Sequence, residues 1–269
     1  MFWTRLLSGI VLVAIALVTI ICGGPVLFVT LLAVSLIGMR EIYKAASVGG
    51  DGVNLLEMTG YAGAVLYYLA LFFLPEIYHL PAAVLGLILI MGVYVFTYPR
   101  FQAEQVMAAF FGIVYVAVML SFLYMTRELP GGAYLVWLII LCSWGCDTCA
   151  YCVGVLIGKH KMAPVLSPKK SVEGAVGGVL GAALLGALYA WAISPWNPNS
   201  AHTPMIYALI CGVGALVSMV GDLAASAIKR QRNIKDYGKL IPGHGGILDR
   251  FDSVIFTAPM IYILAVTLL

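Results

Sequence analysis

The sequence predicts an all-α, polytopic integral membrane protein with about nine transmembrane helices and an active site at the cytoplasmic face. Three observations carry that expectation. Hydrophobic residues make up 62% of the chain, which has 15 Lys and Arg and 12 Asp and Glu in 269 residues. The cations, once the apolar runs are threaded through a bilayer, fall almost entirely on one side. The remaining polarity is concentrated: Asp222 to Asp252 carries Lys229, Arg230, Arg232, Lys235, Lys239 and Arg250 against Asp222, Asp236, Asp249 and Asp252.

Taken in order, the apolar runs cover about 6–22, 25–39, 59–74, 80–98, 106–124, 133–153, 175–193, 205–222 and 253–268. Runs of roughly 16–21 residues can cross the hydrocarbon core. Backbone in that layer must satisfy its own hydrogen bonds, so the runs are helices, and no alternating lipid-barrel strands are visible. The first run is long, lacks an A-x-A-like site and leads into a second apolar run, so it is expected to be a retained helix, not a cleaved signal. Bulky Ile20 and Ile21 before Cys22 argue against lipid attachment there. With no long soluble segment, residues 1–269 form one integral membrane domain, with N-terminal helices over about 1–125 and a catalytic C-terminal part over about 133–269.

Nine spans place Arg5, Arg40, Lys44, Arg100, Lys159, Lys161, Lys169, Lys170 and the six cations after the eighth run on one face, leaving only Arg127 opposite. The positive-inside rule makes the crowded face cytoplasmic, and one span more or fewer would scatter the cations over both faces. A net charge of only +3 argues against nucleic acid as a partner. A basic membrane face suits anionic lipid headgroups or nucleotides.

Cys142, Cys146, Cys149 and Cys152 resemble a metal cluster at first sight. All four sit in the sixth run along one helical stripe. At 1.5 Å per residue its ends are about 15 Å apart, too far to surround one ion. Small residues of this kind are common where membrane helices approach closely, and packing is the expected role.

Three polar constellations remain. Asp147, in S-W-G-C-D-T-C, is an ionisable residue inside a membrane run, which is costly and points to function. The second is Ser167 to Gly174, S-P-K-K-S-V-E-G: Pro168 breaks the chain, Ser171 can cap the seventh helix and Glu173 lies in its first turn. Lys169 and Lys170 there could receive a phosphate, or serve only as a basic anchor. The third runs from Asp222 through Ser226, Lys229 and Arg230, one helical face continued out of the membrane. Pro242-Gly243-His244-Gly245-Gly246 then makes a turn whose glycines let backbone amides approach an anion, and Asp249 and Asp252 restart a helix on a shared face.

S-A-I-K-R at Ser226–Arg230 and K-D-Y-G-K-L-I-P-G-H-G-G-I-L-D-R-F-D at Lys235–Asp252 resemble the signature of the phosphatidate cytidylyltransferases, or CDP-diacylglycerol synthases. The Asp147 neighbourhood and S-P-K-K-S-x-E-G are similar to that family's too; the N-terminal half agrees only in hydropathy. The resemblance implies transfer of a cytidylyl group from CTP to phosphatidate, giving CDP-diacylglycerol and diphosphate in bacterial phospholipid biosynthesis. It implies Mg²⁺, as two divalent ions with a monovalent cation admissible beside them, and a homodimer in the cell membrane.

By the same resemblance Asp222 and Asp249 are metal carboxylates and Asp147 is the third acid. Lys229, Arg230, Lys235, Lys239, His244 and Arg250 meet the triphosphate and lipid phosphate, and Lys169 and Lys170 guard the entrance. Ser171, Ser226, Asp236, Gly245, Gly246 and Asp252 complete the substrate-binding set. The alternatives are a CTP-dependent lipid kinase, which would release CDP, and a transporter. A transporter would place its ionisable groups near mid-membrane and often repeat its halves. The D-G-x-x-A-R pattern of CDP-alcohol phosphotransferases and the Walker G-x-x-x-x-G-K-[ST] are both absent from the sequence.

Overall fold

The computed structural model describes residues 2–49, 52–196, 204–243 and 245–269. Among these residues it is built of nine continuous helical stretches: α1 Phe2–Cys22, α2 Gly24–Ala45, α3 Leu55–Phe73, α4 His79–Phe96, α5 Ala103–Glu128, α6 Gly132–Ile157, α7 Val172–Ile193, α8 Pro204–Gln231 and α9 Leu248–Leu268. Eight are long and apolar enough to cross a membrane, and Leu7–Cys22 of α1 is a shorter apolar stretch. Large apolar side chains such as Leu80, Phe96, Leu156, Leu180 and Trp191 are exposed on the helices, which suits a lipid environment. The protein is an all-α, polytopic membrane protein.

Several helices outrun the apolar segments that announce them. α2 continues through Arg40, Glu41 and Lys44, and α8 passes Asp222 to reach Lys229 and Arg230. Hydropathy ends where charge begins, whereas helical hydrogen bonding does not. α5 and α6 each contain a wider π turn, Ile113–Val118 and Leu141–Gly145, the second lying just before Asp147. Such turns are frequent near functional residues.

The chain divides into two compact units. The first comprises Met1–Ser121 and Arg232–Arg250. Its core is pinned by polar bonds between helices: Ser35 Oγ and Tyr68 Oη at 2.8 Å, Tyr67 Oη and Ser121 Oγ at 2.8 Å, and Tyr43 Oη donating to Ala109 O at 2.6 Å. Tyr43 is fully buried because Gly60 and Gly112 make room for its ring, which a Cβ at either position would overlap. Asn54 caps α3 by accepting from Glu57 N at 2.9 Å and donates to Val48 O at 2.8 Å.

The second unit comprises Phe122–Gln231 and Phe251–Leu269. Every fourth residue of α7 that is buried is small: Gly174, Gly178, Ala182, Gly186 and Ala190. That stripe brings α6 and α8 against α7 at close range. A Cβ on Gly178 would lie 3.0 Å from Cys146 Sγ, and one on Gly181 would lie 2.6 Å from Cys149 Sγ. On α8, a Cβ on Gly214 would lie 2.7 Å from Cys142 Sγ. The cysteine stripe therefore fills the grooves opposite glycines; Cys142 and Cys146 are buried, Cys149 is half-buried and Cys152 is exposed.

Among the described residues a short pair of strands interrupts the helices. Lys161–Ala163 and Ser167–Ser171 pair as a short antiparallel hairpin ahead of α7. Glu173 closes its base, accepting from Lys159 N at 3.0 Å and His160 N at 3.2 Å and meeting His160 Nδ1 at 2.6 Å. Arg230 Nε donates to Leu166 O at 3.4 Å, so the end of α8 holds the hairpin tip. Ser171 caps α7 by accepting from Gly174 N at 3.1 Å.

Candidate active site

In the second unit an open cavity of about 550 Å³ is lined by α6, the hairpin, α7 and α8. Its walls are largely apolar or small, with Ala150, Val155, Gly174, Ala175 and Met219 among them, yet Asp147, Lys169, Lys170, Ser171 and Asp222 also face it. The local sequence explains each placement. The π turn in α6 delivers Asp147, the strand after Pro168 extends Lys169 and Lys170, the cap fixes Ser171, and α8 carries Asp222 beyond its apolar stretch.

The polar groups form a charge-alternating cluster. Lys170 Nζ pairs directly with Asp222 Oδ2, the two side chains being 25% and 23% exposed. Asp252, on the first turns of α9 and only 9% exposed, has Asp222, Lys229 and Asp147 as charged neighbours. Ser253 Oγ donates to Asp147 Oδ2 at 3.4 Å, and Ser253 N donates to Asp252 Oδ1 at 2.8 Å. Three carboxylates thus sit among two lysines, an arrangement that favours polyanions and hard cations over neutral ligands. Among the described residues no three His, Cys, Asp or Glu side chains are already gathered in ligating geometry. The oxygen-rich donor set nevertheless matches what a divalent ion such as Mg²⁺ takes.

The glycine turn belongs to the first unit. Ile241 N donates to Gly245 O at 2.9 Å, and Gly243 and Gly245 adopt φ of 78° and 87°. Asp249, 6% exposed, uses Oδ2 to accept from Tyr237 N at 2.8 Å and Gly246 N at 3.0 Å. Glu41 reaches in from α2: Oε1 accepts from Ile247 N at 3.0 Å and Oε2 from Leu248 N at 2.8 Å. The amides of Gly246, Ile247 and Leu248 thus donate to protein carboxylates in this structure.

The remaining site residues are spread over α8, the connecting segment and α9. Ser226 and Lys229 are half-buried on α8 and Arg230 is exposed at its end. Lys235, Asp236 and Lys239 are exposed on the connecting segment, and Arg250 is half-buried in the first turn of α9. His244 lies outside the described residues. Two participants are not evident from the sequence. Glu173 reads there as a first-turn residue without its hairpin contacts. Glu41 is not singled out by any motif, although a carboxylate near the end of an apolar run is a signal that could have found it.

Comparison with known proteins agrees with the motif resemblance. The cytidylyltransferase family matches residues 3–268. A phosphatidate cytidylyltransferase of Synechocystis sp. is 43% identical over 143 residues, covering 53% of this chain and 47% of that protein, so that alignment spans about half its length. Phosphatidate cytidylyltransferases of Staphylococcus haemolyticus (strain JCSC1435) and Staphylococcus aureus (strain COL) are 28% and 29% identical, each over 97% of this chain and 98% of the relative. With the match running nearly end to end, this membrane-embedded chain belongs to the cytidylyltransferase family and is a nucleotidyltransferase.

Proposed function

We propose that the chain transfers the cytidylyl group of CTP to phosphatidate at the cytoplasmic face of the membrane, forming CDP-diacylglycerol and diphosphate. The observation that carries this reading is the cavity of the second unit, where Lys169, Lys170, Asp147 and Asp222 stand among apolar walls. A lipid phosphate requires that mixture: cations for the headgroup, and apolar surface for the glycerol and acyl chains attached to it. The names of the relatives support the choice of substrates.

The chemistry needs no side-chain nucleophile. Phosphatidate is a phosphate monoester with a second pKa of about 6, so its oxygen is unprotonated near neutrality. That oxygen attacks the α-phosphorus of CTP. A phosphorus–oxygen bond forms as the bond from the α-phosphorus to the oxygen bridging the β-phosphate breaks, and diphosphate leaves with the electron pair. What remains for the protein is to bring two polyanions together and to offset charge on the leaving group. Lys169 and Lys170 receive the lipid phosphate, with Ser171 beside them. Lys229, Arg230, Lys235, Lys239, His244 and Arg250 serve the triphosphate, and Ser226, Asp236, Gly245, Gly246 and Asp252 shape the same surroundings.

Nucleotidyl transfer of this kind uses a divalent cation, which we assign as Mg²⁺, as two ions with a monovalent cation admissible beside them. Asp222 and Asp147 of the second unit and Asp249 of the first are our candidate ligands for it, and the ion would supply charge neutralisation at the departing diphosphate. Threaded as nine spans, the sequence puts fourteen basic residues on one side, which supports the cytoplasmic placement. The homodimer rests on the family resemblance alone.

Purified protein given CTP, phosphatidate and Mg²⁺ should release one diphosphate for each CDP-diacylglycerol formed, and neither product when any component is omitted. Release of CDP with a newly phosphorylated lipid would make the protein a lipid kinase instead.

A further inference from the structure

Glu41 has no place in the transfer chemistry, yet it makes a two-pronged contact from α2 to the motif-bearing segment of its unit. It is 8% exposed, near the C-terminal end of α2, more than two hundred residues before the turn it touches. Each carboxylate oxygen accepts one amide, Ile247 N at 3.0 Å and Leu248 N at 2.8 Å. These are among the N–H groups that the start of α9 leaves without helical partners, so Glu41 caps that helix from another element. It also fills the space left by two glycines: a Cβ at Gly238 or Gly246 would overlap the Glu41 carboxyl group. Asp249 lies close enough to feel its charge and holds the same turn from the other side through Tyr237 N and Gly246 N. Four backbone amides thus separate and balance two like charges.

From this geometry we infer that Glu41 is a positioning residue for cytidylyl transfer: it locks the Gly246–Leu248 backbone so that Asp249 is presented in one orientation. The inference rests on the reading that this segment serves the reaction. Glu41 does not touch substrate. A fork of two acceptors fixes both the entry of α9 and the rotation of its first turn, which carries Asp249. Glutamine at position 41 keeps the volume but offers one acceptor oxygen and an NH₂ that would oppose a backbone donor. Alanine removes both.

Three measurements on the full-length protein in detergent test this. Hydrogen exchange at Ile247 and Leu248 should be at least about ten-fold faster in Glu41→Gln than in wild type, with α3 unchanged. Steady-state turnover should show kcat down about ten-fold or more with KM for CTP within about three-fold, the pattern of a displaced catalytic group and not of lost binding. Gly246→Ala should be far less harmful in the Glu41→Ala background than in wild type, because the overlap has been removed. Glu41→Gln is nearly isosteric and carries the exchange and kinetic tests should Glu41→Ala not survive extraction. Unchanged exchange at both amides, wild-type kcat in Glu41→Gln, or additive effects of the Glu41 and Gly246 substitutions would each overturn the inference. If wild-type protein proved to have no cytidylyltransferase activity, the proposed function would fail while the exchange experiment still judged the lock.

Discussion

Lys170 and Asp222 form a direct ion pair inside the cavity, each about one-quarter exposed. Removing the partners singly and together separates structure from chemistry. In contact at an effective dielectric near 20, the gross attraction is about 4 kcal/mol, and desolvation and side-chain ordering reduce the net to about 1 kcal/mol. Asp222→Asn or Lys170→Met alone strands the other charge half-buried, at a cost of about 1–3 kcal/mol. The double variant removes both charges and should regain most of that stability. Activity should not recover with it. If both groups serve substrate or metal, each single variant loses at least about a hundred-fold in kcat/KM, or about 2.7 kcal/mol of transition-state stabilisation, and the double variant stays as low. The assay is conversion of CTP into chloroform-soluble product, with melting curves on the same detergent samples. Recovery of the double variant to within about three-fold of wild type would refute the reasoning and reduce the pair to a structural bridge.

Gly245→Ala and Gly131→Ala meet similar backbone strain, at φ of 87° and 73°, but only at Gly245 would the Cβ approach Asp249 Oδ2, at 2.9 Å. Both should lower stability by about 1 kcal/mol, and only Gly245→Ala should lower kcat/KM by about ten-fold or more, as paired melting and turnover measurements will show. Glu173→Gln removes the charge that closes the hairpin through Lys159 N and His160. It should speed proteolysis between Lys159 and Lys170 and raise KM for phosphatidate more than it lowers kcat. Single cysteines placed at Lys169 and Lys239 in a cysteine-free background should resist impermeant reagents in sealed right-side-out vesicles, whereas one at the C-terminus should label readily.

The positions of the helices are legible in the sequence because a chain with so few charges marks its spans by the residues that interrupt them. The same contrast exposes Asp147, Asp222 and the Ser226–Asp252 segment. The features that stay hidden depend on contacts distant in sequence. Nothing in S-P-K-K-S shows that Lys170 will meet Asp222, since that pairing arises only when the small-residue face of α7 draws α6 and α8 together. The hairpin is not foreseeable because its strands are three and five residues long and mostly polar, without an alternating apolar pattern. Glu41 escapes notice because its amide partners lie two hundred residues away, and the glycines it fits against read as room for a ligand anion.

The most direct test of the account is to trace the phosphorus atoms of CTP. Purified protein with phosphatidate and Mg²⁺ should carry label from the α-phosphate of CTP into the lipid product and leave label from the γ-phosphate in diphosphate. Label from the γ-phosphate in the lipid, or no lipid labelling from either position, would contradict cytidylyl transfer by this chain.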